Sequence, residues 1–104
     1  MVIRGGTSPD GEDRVITNSD ELTATQVTVA TTATLIAAAN PNRKFIEINN
    51  VGAASVFIGG LTVATTTGHA IQTATKHTQA SNISTAAIYG IVASGTNVVT
   101  VLEF

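Results

Sequence analysis

The sequence predicts an all-β fold, either an antiparallel β-sandwich or a small jelly-roll-like barrel, with about eight short strands in one domain. Threonine is the most abundant of the 104 residues, while only 12% of residues are charged and 4% are aromatic. Threonine and valine pack well on a pleated sheet and lose side-chain freedom in a helix. Turn residues also recur at intervals of roughly ten residues, which is typical of small sandwiches and barrels.

Four strands are predicted in the first half of the chain. TATQVTVA alternates, with Val27 and Val29 on one face. ATLIAAA is short and is closed by Pro41, which favours a strand over a helix. RKFIEIN places Ile46 and Ile48 on one face. ASVFIGG follows NNVGAA, whose asparagines and glycine indicate a hairpin between these two strands.

Four further strands are predicted in the second half. LTVATTT and GHAIQTA are the weaker pair, and glycines mark the bends around them. AAIYGIVA and NVVTVLEF are stronger, and the Ser-Gly-Thr turn between them indicates a second hairpin.

The charged residues are concentrated at the N-terminus. Residues 1–21 hold seven of the twelve Asp, Glu, Lys and Arg residues, together with several glycines and a proline. Such a segment buries little apolar surface, so we predict an extended arm over residues 1–21 and a β-sandwich domain over residues 22–104. The arm is either a free terminus or a segment that orders against a neighbouring subunit.

Several predicted strands are apolar on both faces. Phe45 lies opposite Ile46, Phe57 lies opposite Ile58, and Phe104 lies opposite the valines of the last strand that face the core. An antiparallel strand with one face in water normally alternates between apolar and polar residues. The second face is therefore expected to be covered, and with so few charged residues we favour another copy of the chain as the cover.

The chain shows no pattern typical of an enzyme or of a cofactor or metal site. His69 and His77 have no acidic residue near them in sequence, whereas a zinc site usually needs three or four ligands. The DGED segment at 10–13 lacks the alternating oxygen ligands of a calcium loop. Nucleophile elbows, phosphate-binding loops and dinucleotide-binding glycine patterns are absent. We expect no catalytic residue, cofactor or metal.

Nucleic acid and membranes are not expected partners. The net charge is −2, and the only basic pair in the predicted domain is Arg43 and Lys44, so the electrostatic term that drives nucleic-acid binding would be weak. No apolar run approaches the roughly 20 residues that span a bilayer as a helix.

Arg43 and Lys44 are the best candidates for a specific contact. They stand at the head of an alternating strand. One interpretation is a charged strand edge, which discourages aggregation. The other is an ion pair across a subunit boundary, with an acidic residue of the arm or with Glu47, which would set the choice of partner.

Two segments carry a wider pattern. NPNRK leads through an I-x-N strand into an Asn-Gly turn and then VFIGG, and YGIVASGT precedes VLEF near the C-terminus. This pattern resembles that of small virion structural proteins of tailed bacteriophages over about residues 25–103. Between residues 68 and 83 the chain departs from the pattern of those proteins. The residues that carry the resemblance are Asn40, Pro41, Asn42, Arg43, Lys44, Ile46, Ile48, Asn50, Gly52, Tyr89, Ile91, Ala93, Ser94, Gly95 and Thr96.

The resemblance implies a structural role in a virion. One expectation is a head-decoration, or cement, protein that binds the major capsid protein on the outer capsid surface as a homo-oligomer, with a homotrimer preferred. The alternative is a tail, baseplate, fibre-associated or receptor-binding module. The residues predicted to form the subunit or capsid interface are Arg4, Asp10, Arg14, Arg43, Lys44, Phe45, Phe57 and Phe104.

Overall fold

A computed structural model describes residues 22–80 and 83–104 of the chain. The predicted arm, with Arg4, Asp10 and Arg14, lies outside the described residues. Within the described ranges every regular element is a strand. The strands are β1 (Thr23–Val29), β2 (Thr34–Ala37), β3 (Ile46–Asn50), β4 (Val56–Gly59), β5 (His69–Ile71), β6 (Lys76–Gln79), β7 (Ile88–Ile91) and β8 (Asn97–Glu103).

The strands form two antiparallel sheets of four. Sheet A has the order β1-β8-β3-β6 and sheet B has the order β2-β7-β4-β5. The pairs are nested, since β1 pairs with β8, β2 with β7, β3 with β6 and β4 with β5. Eight strands nested in this way across two sheets make a jelly roll. The predicted all-β sandwich is therefore confirmed.

The core lies between the two sheets and is built almost entirely of valine and isoleucine. In β3, Ile46 and Ile48 are fully buried, while Glu47 and Asn49 are only partly buried and face outward, as the sequence predicts. Each such side chain contributes about 1.5–3 kcal/mol when it leaves water. The buried cluster is Val29, Ile36, Ala37, Ile46, Ile48, Val56, Ile58, Ile71, Ile88, Val92, Val99 and Val101.

Both predicted hairpins are wrong. β3 and β4 lie in different sheets, and so do β7 and β8. The connections after Asn50 and around Gly95 do turn the chain, and Gly95 adopts the left-handed φ of +65° that a glycine supplies at no steric cost. They carry the chain from one sheet to the other. Turn residues indicate where a chain reverses, but the strand that it then pairs with is decided by distant segments.

The predicted strand LTVATTT is also wrong, because residues 61–67 form consecutive turns. The Val63 N–H donates to the Gly60 carbonyl and the Gly68 N–H donates to the Ala64 carbonyl. β6 was not predicted, because KHTQ contains no apolar residue. It forms through pairing with β3, which local composition does not reveal.

Candidate functional site

The segment NPNR forms a tight turn that fixes the direction of Arg43. The Arg43 N–H donates to the Asn40 carbonyl at 3.1 Å, and the Asn42 N–H donates to Asn40 Oδ1 at 3.0 Å. Pro41 occupies the second position, where its fixed φ suits the turn. The turn therefore directs the arginine side chain into the protein.

The Arg43 side chain is completely buried and tied to three other segments of the chain. Its Nε donates to Glu103 Oε2 at 2.7 Å at the end of β8. Nη1 donates to the carbonyls of Ser84 (2.8 Å) and Ala86 (3.1 Å), before β7, and Nη2 donates to the Ala38 carbonyl (2.7 Å), after β2. We call this set of contacts the Arg43 anchor.

The expectation of an exposed charged edge is wrong for Arg43, although Lys44 is exposed. Among the described residues, the ionic partner of Arg43 is Glu103 of the same chain and not Glu47. The predicted contact with the arm lies outside the described residues. Glu47 instead faces Lys76, with Nζ and Oε1 3.9 Å apart at the surface. Because its guanidinium is used inside the fold, Arg43 is removed from the interface that we propose below.

Phe45 and Phe57 both point away from the core, as predicted, but from different sheets. Phe45 lies on the outer side of sheet A, where its ring stacks on Phe104 with centroids 5.1 Å apart. The backbones of these two residues also exchange hydrogen bonds. Phe57 lies in β4 of sheet B. The two predicted contact residues therefore belong to opposite sides of the molecule.

The outer side of sheet B is a continuous apolar surface, which we call the apolar face. Its members lie opposite one another in register, with Leu35 beside Tyr89, and Phe57 between Ile91 and Ala70. Leu35 is 46% exposed. None of the four strands of this sheet contains Asp, Glu, Lys or Arg. Within these four strands, therefore, no charged side chain opposes the packing of a second apolar surface.

The outer side of sheet A is different in chemistry. It forms a shallow groove of about 480 Å³ that is lined by polar residues such as Gln26, Glu47 and Asn49 and also by the apolar Ala24 and Leu102. Lys76 borders it through its contact with Glu47. This side therefore carries charged residues among polar and apolar ones, whereas the strands of sheet B carry none, so the two outer surfaces are not equivalent.

Two buried amides hold the connection that follows β3. Asn50 Nδ2 donates to the carbonyls of Ala54 and Ile71, both at 2.8 Å, and its Oδ1 accepts from Asn97 Nδ2 at 2.9 Å. The Gly52 N–H also donates to Asn50 Oδ1 at 3.0 Å. Buried polar groups are costly unless they are paired, and here the pairing joins sheet A to the chain entering sheet B.

The two histidines, which sequence reasoning treated separately, meet in the structure. The rings of His69 in β5 and His77 in β6 have centroids 5.1 Å apart and planes inclined at 63°. They line a cavity of about 340 Å³ together with Gln79, Ser84 and Ile58. Burial first, and then the neighbouring His69, lower the pKa of His77 below its usual value of 6.5.

Residues 22–80 and 83–104 contain no group of three or more His, Cys, Asp and Glu side chains arranged to hold a metal ion. In the same ranges no helix is long and apolar enough to cross a membrane.

The fold and these surfaces together define a class, a small jelly-roll sandwich with one uncharged apolar outer face. Comparisons with protein-family models, with curated proteins and with solved structures found no match to this chain. The site is therefore characterised by its own geometry.

The apolar face could be recognised only in part from the sequence. The lack of charged residues in TLIA, VFIG, HAI and IYGI is visible in the sequence, and it is the signal that could have found the face. Which of these segments share a sheet, and hence a surface, depends on long-range pairing. Leu35, Tyr89 and Ile91 were missed as surface candidates for that reason.

Proposed function

We propose that this chain is a bacteriophage head-decoration, or cement, protein that binds the outer surface of the capsid as a homo-oligomer, with a trimer preferred. Its partners are other copies of itself and the major capsid protein. It acts by adding many identical contacts to a symmetric shell, and the role needs no catalysis.

The observation that carries the self-association part is the apolar face. It combines half-buried Phe57, Tyr89 and Ile91 with exposed Leu35 and has no charged residue in any of its strands. Contiguous apolar surface of this kind marks interaction sites in soluble proteins. A second copy offers a surface of the same chemistry without unpaired charge, so burial of the two faces costs no ion desolvation.

The virion part of the proposal is supported by two further observations. The jelly-roll order of the strands is shared with viral capsid domains. The sequence pattern that resembles phage virion proteins contains Asn40 and Pro41, which form the turn before Arg43, and Arg43 itself, which makes the Arg43 anchor. It also contains Asn50, which forms the buried amide pair. These four of the resembling residues thus help to hold the sandwich together.

The capsid contact is assigned to the surfaces that remain once the apolar face is used. These are the arm, with Arg4, Asp10 and Arg14, and the outer side of sheet A around Lys44 and the Phe45–Phe104 stack. Lys44 is exposed and can contact an acidic partner surface.

Self-association is tested by light scattering coupled to size-exclusion chromatography. The wild-type chain should be an oligomer at micromolar concentration, and Ile91→Lys should dissociate it, since it places an ammonium in the middle of the apolar face. Thr100→Lys, at an outward position of sheet A, is the matched control and should leave the oligomer intact. A wild-type monomer, or equal behaviour of the two variants, would contradict the proposed interface.

Location in the virion is tested by co-sedimentation with purified phage heads and, separately, purified tails of the phage that encodes the chain. Binding to heads alone supports decoration. Binding to tails alone would replace the proposal with the alternative, a tail, baseplate, fibre-associated or receptor-binding module. Genes adjacent to the coding sequence provide an independent check, because decoration genes are expected beside the major capsid gene.

A further inference from the structure

The two histidines occupy core-facing positions of the strands that flank one open side of the sandwich. His69 lies opposite the buried Ile58, and His77 lies opposite the buried Ile48. β5 is an edge of sheet B and β6 is an edge of sheet A. Both imidazoles therefore point into the gap between the two sheets.

The separation of the rings matches that of two histidines sharing one metal ion. An imidazole nitrogen binds zinc at about 2 Å, so two rings on one ion in a tetrahedral arrangement have centroids roughly 5 Å apart. The observed distance is 5.1 Å, with the ring planes inclined at 63°.

The cavity beside the two histidines has room for further ligands from solvent. Gln79 and Ser84 line it with the two histidines, and its volume of about 340 Å³ leaves room for bound water. Gln79 Nε2 lies 3.3 Å from His77 Nε2, and Gln79 Oε1 accepts from the Ser84 N–H at 3.2 Å. Both contacts are long for hydrogen bonds, so an entering ion displaces little.

We infer that His69 and His77 bind a divalent transition-metal ion of the Zn²⁺, Ni²⁺ or Cu²⁺ class, with water completing its coordination. Imidazole suits these borderline ions, whereas Mg²⁺ and Ca²⁺ prefer all-oxygen sites. The two protein ligands come from different sheets, so the ion joins β5 to β6 across an open side of the jelly roll.

The test uses the full-length protein, stripped with a chelator and dialysed. Zn²⁺ is titrated while thermal unfolding is followed by circular dichroism, and Mg²⁺ is titrated in parallel. Saturating Zn²⁺ should raise the Tm by about 4 °C or more, and Mg²⁺ should not. With Cu²⁺ in place of Zn²⁺, electron paramagnetic resonance should show two nitrogen ligands.

The variants locate the site. His69→Gln replaces an exposed side chain, so the fold should survive, and it should lower the Zn²⁺ affinity at least about tenfold and leave one nitrogen on Cu²⁺. His77→Gln should do the same, and Lys76→Gln, an exposed neighbour that is not a proposed ligand, should bind like the wild type. The inference would be overturned if the wild-type protein bound neither Zn²⁺ nor Cu²⁺. It would also be overturned if Zn²⁺ raised the Tm of His69→Gln as much as that of the wild type.

Discussion

At the scale of single residues, Arg43 is the side chain whose role the fold changes most. A basic residue at the start of a strand is typical of a surface charge. Arg43 is instead buried and donates to three carbonyls and one carboxylate. Its planar guanidinium suits the task, because it presents five donors in a fixed arrangement. One residue thereby ties the ends of β2 and β8 to the segment before β7.

Replacing Arg43 by alanine should lower the free energy of unfolding by about 3–5 kcal/mol, because it leaves the partly buried Glu103 carboxylate without its ionic partner and three carbonyls without donors. Chemical denaturation measures the change. Arg43→Lys should recover only part of the loss, since an ammonium cannot reproduce the planar set of donors. Lys44→Ala, the exposed neighbour, should change stability by no more than about 0.5 kcal/mol. Equal losses at the two positions would show that the anchor has no energetic role.

At the scale of elements, the connection from β3 to β4 shows most clearly that the tertiary structure determines which sheet the chain enters after a turn. The chain leaves sheet A at Asn50 and enters sheet B at Val56. The paired amides of Asn50 and Asn97 hold this passage, and Gly52 packs directly against the Asn97 amide. A side chain at Gly52 would occupy the space of that amide.

Gly52→Ala should therefore destabilise the protein by roughly 2–4 kcal/mol, because the Asn97 side chain must move and release its buried hydrogen bonds to Asn50 and Ala54. Gly60→Ala is the matched control. A Cβ at that position meets no atom within 4 Å, so the change should stay within about 0.5 kcal/mol. Thermal or urea unfolding of both variants provides the comparison, and a Gly52→Ala protein as stable as the Gly60→Ala protein would refute the packing argument.

Elements also show where local pattern is sufficient and where it is not. β3 and β8 alternate and are predicted close to their observed bounds, because one face of each is buried in the core. β1 is also predicted close to its bounds, although only its C-terminal end, at Val27 and Val29, reaches the core. β6 has no apolar residue and exists through its pairing with β3. Residues 61–67 alternate weakly but form turns, since Val63 alone among them is buried.

At the scale of the whole molecule, the described residues by themselves form two four-stranded sheets around one buried cluster. Among the described residues, the members of that cluster lie between Val29 and Val101, and the strands run from Thr23 to Glu103. We propose that this part folds on its own and that the arm serves attachment.

Deleting residues 1–21 should leave the far-ultraviolet circular dichroism spectrum unchanged and the stability within about 1 kcal/mol of the full-length chain. The same deletion should abolish binding to phage heads in the co-sedimentation assay. An unfolded truncated protein would show that the domain boundary is misplaced. A folded truncated protein that still coats heads would show that the arm plays no part in attachment.

The sequence alone determined the all-β class, the alternation that builds the core and the presence of apolar residues on outward faces. These follow from properties of neighbouring residues, namely branched side chains and a period of two. The tertiary structure decided the partner of each strand, the burial of Arg43 against Glu103, the continuity of the apolar face and the meeting of His69 with His77. Each of these features joins segments that are distant in sequence and that no local pattern relates. The physical reason is that the partner of each strand depends on the arrangement that buries the core residues of all eight strands together.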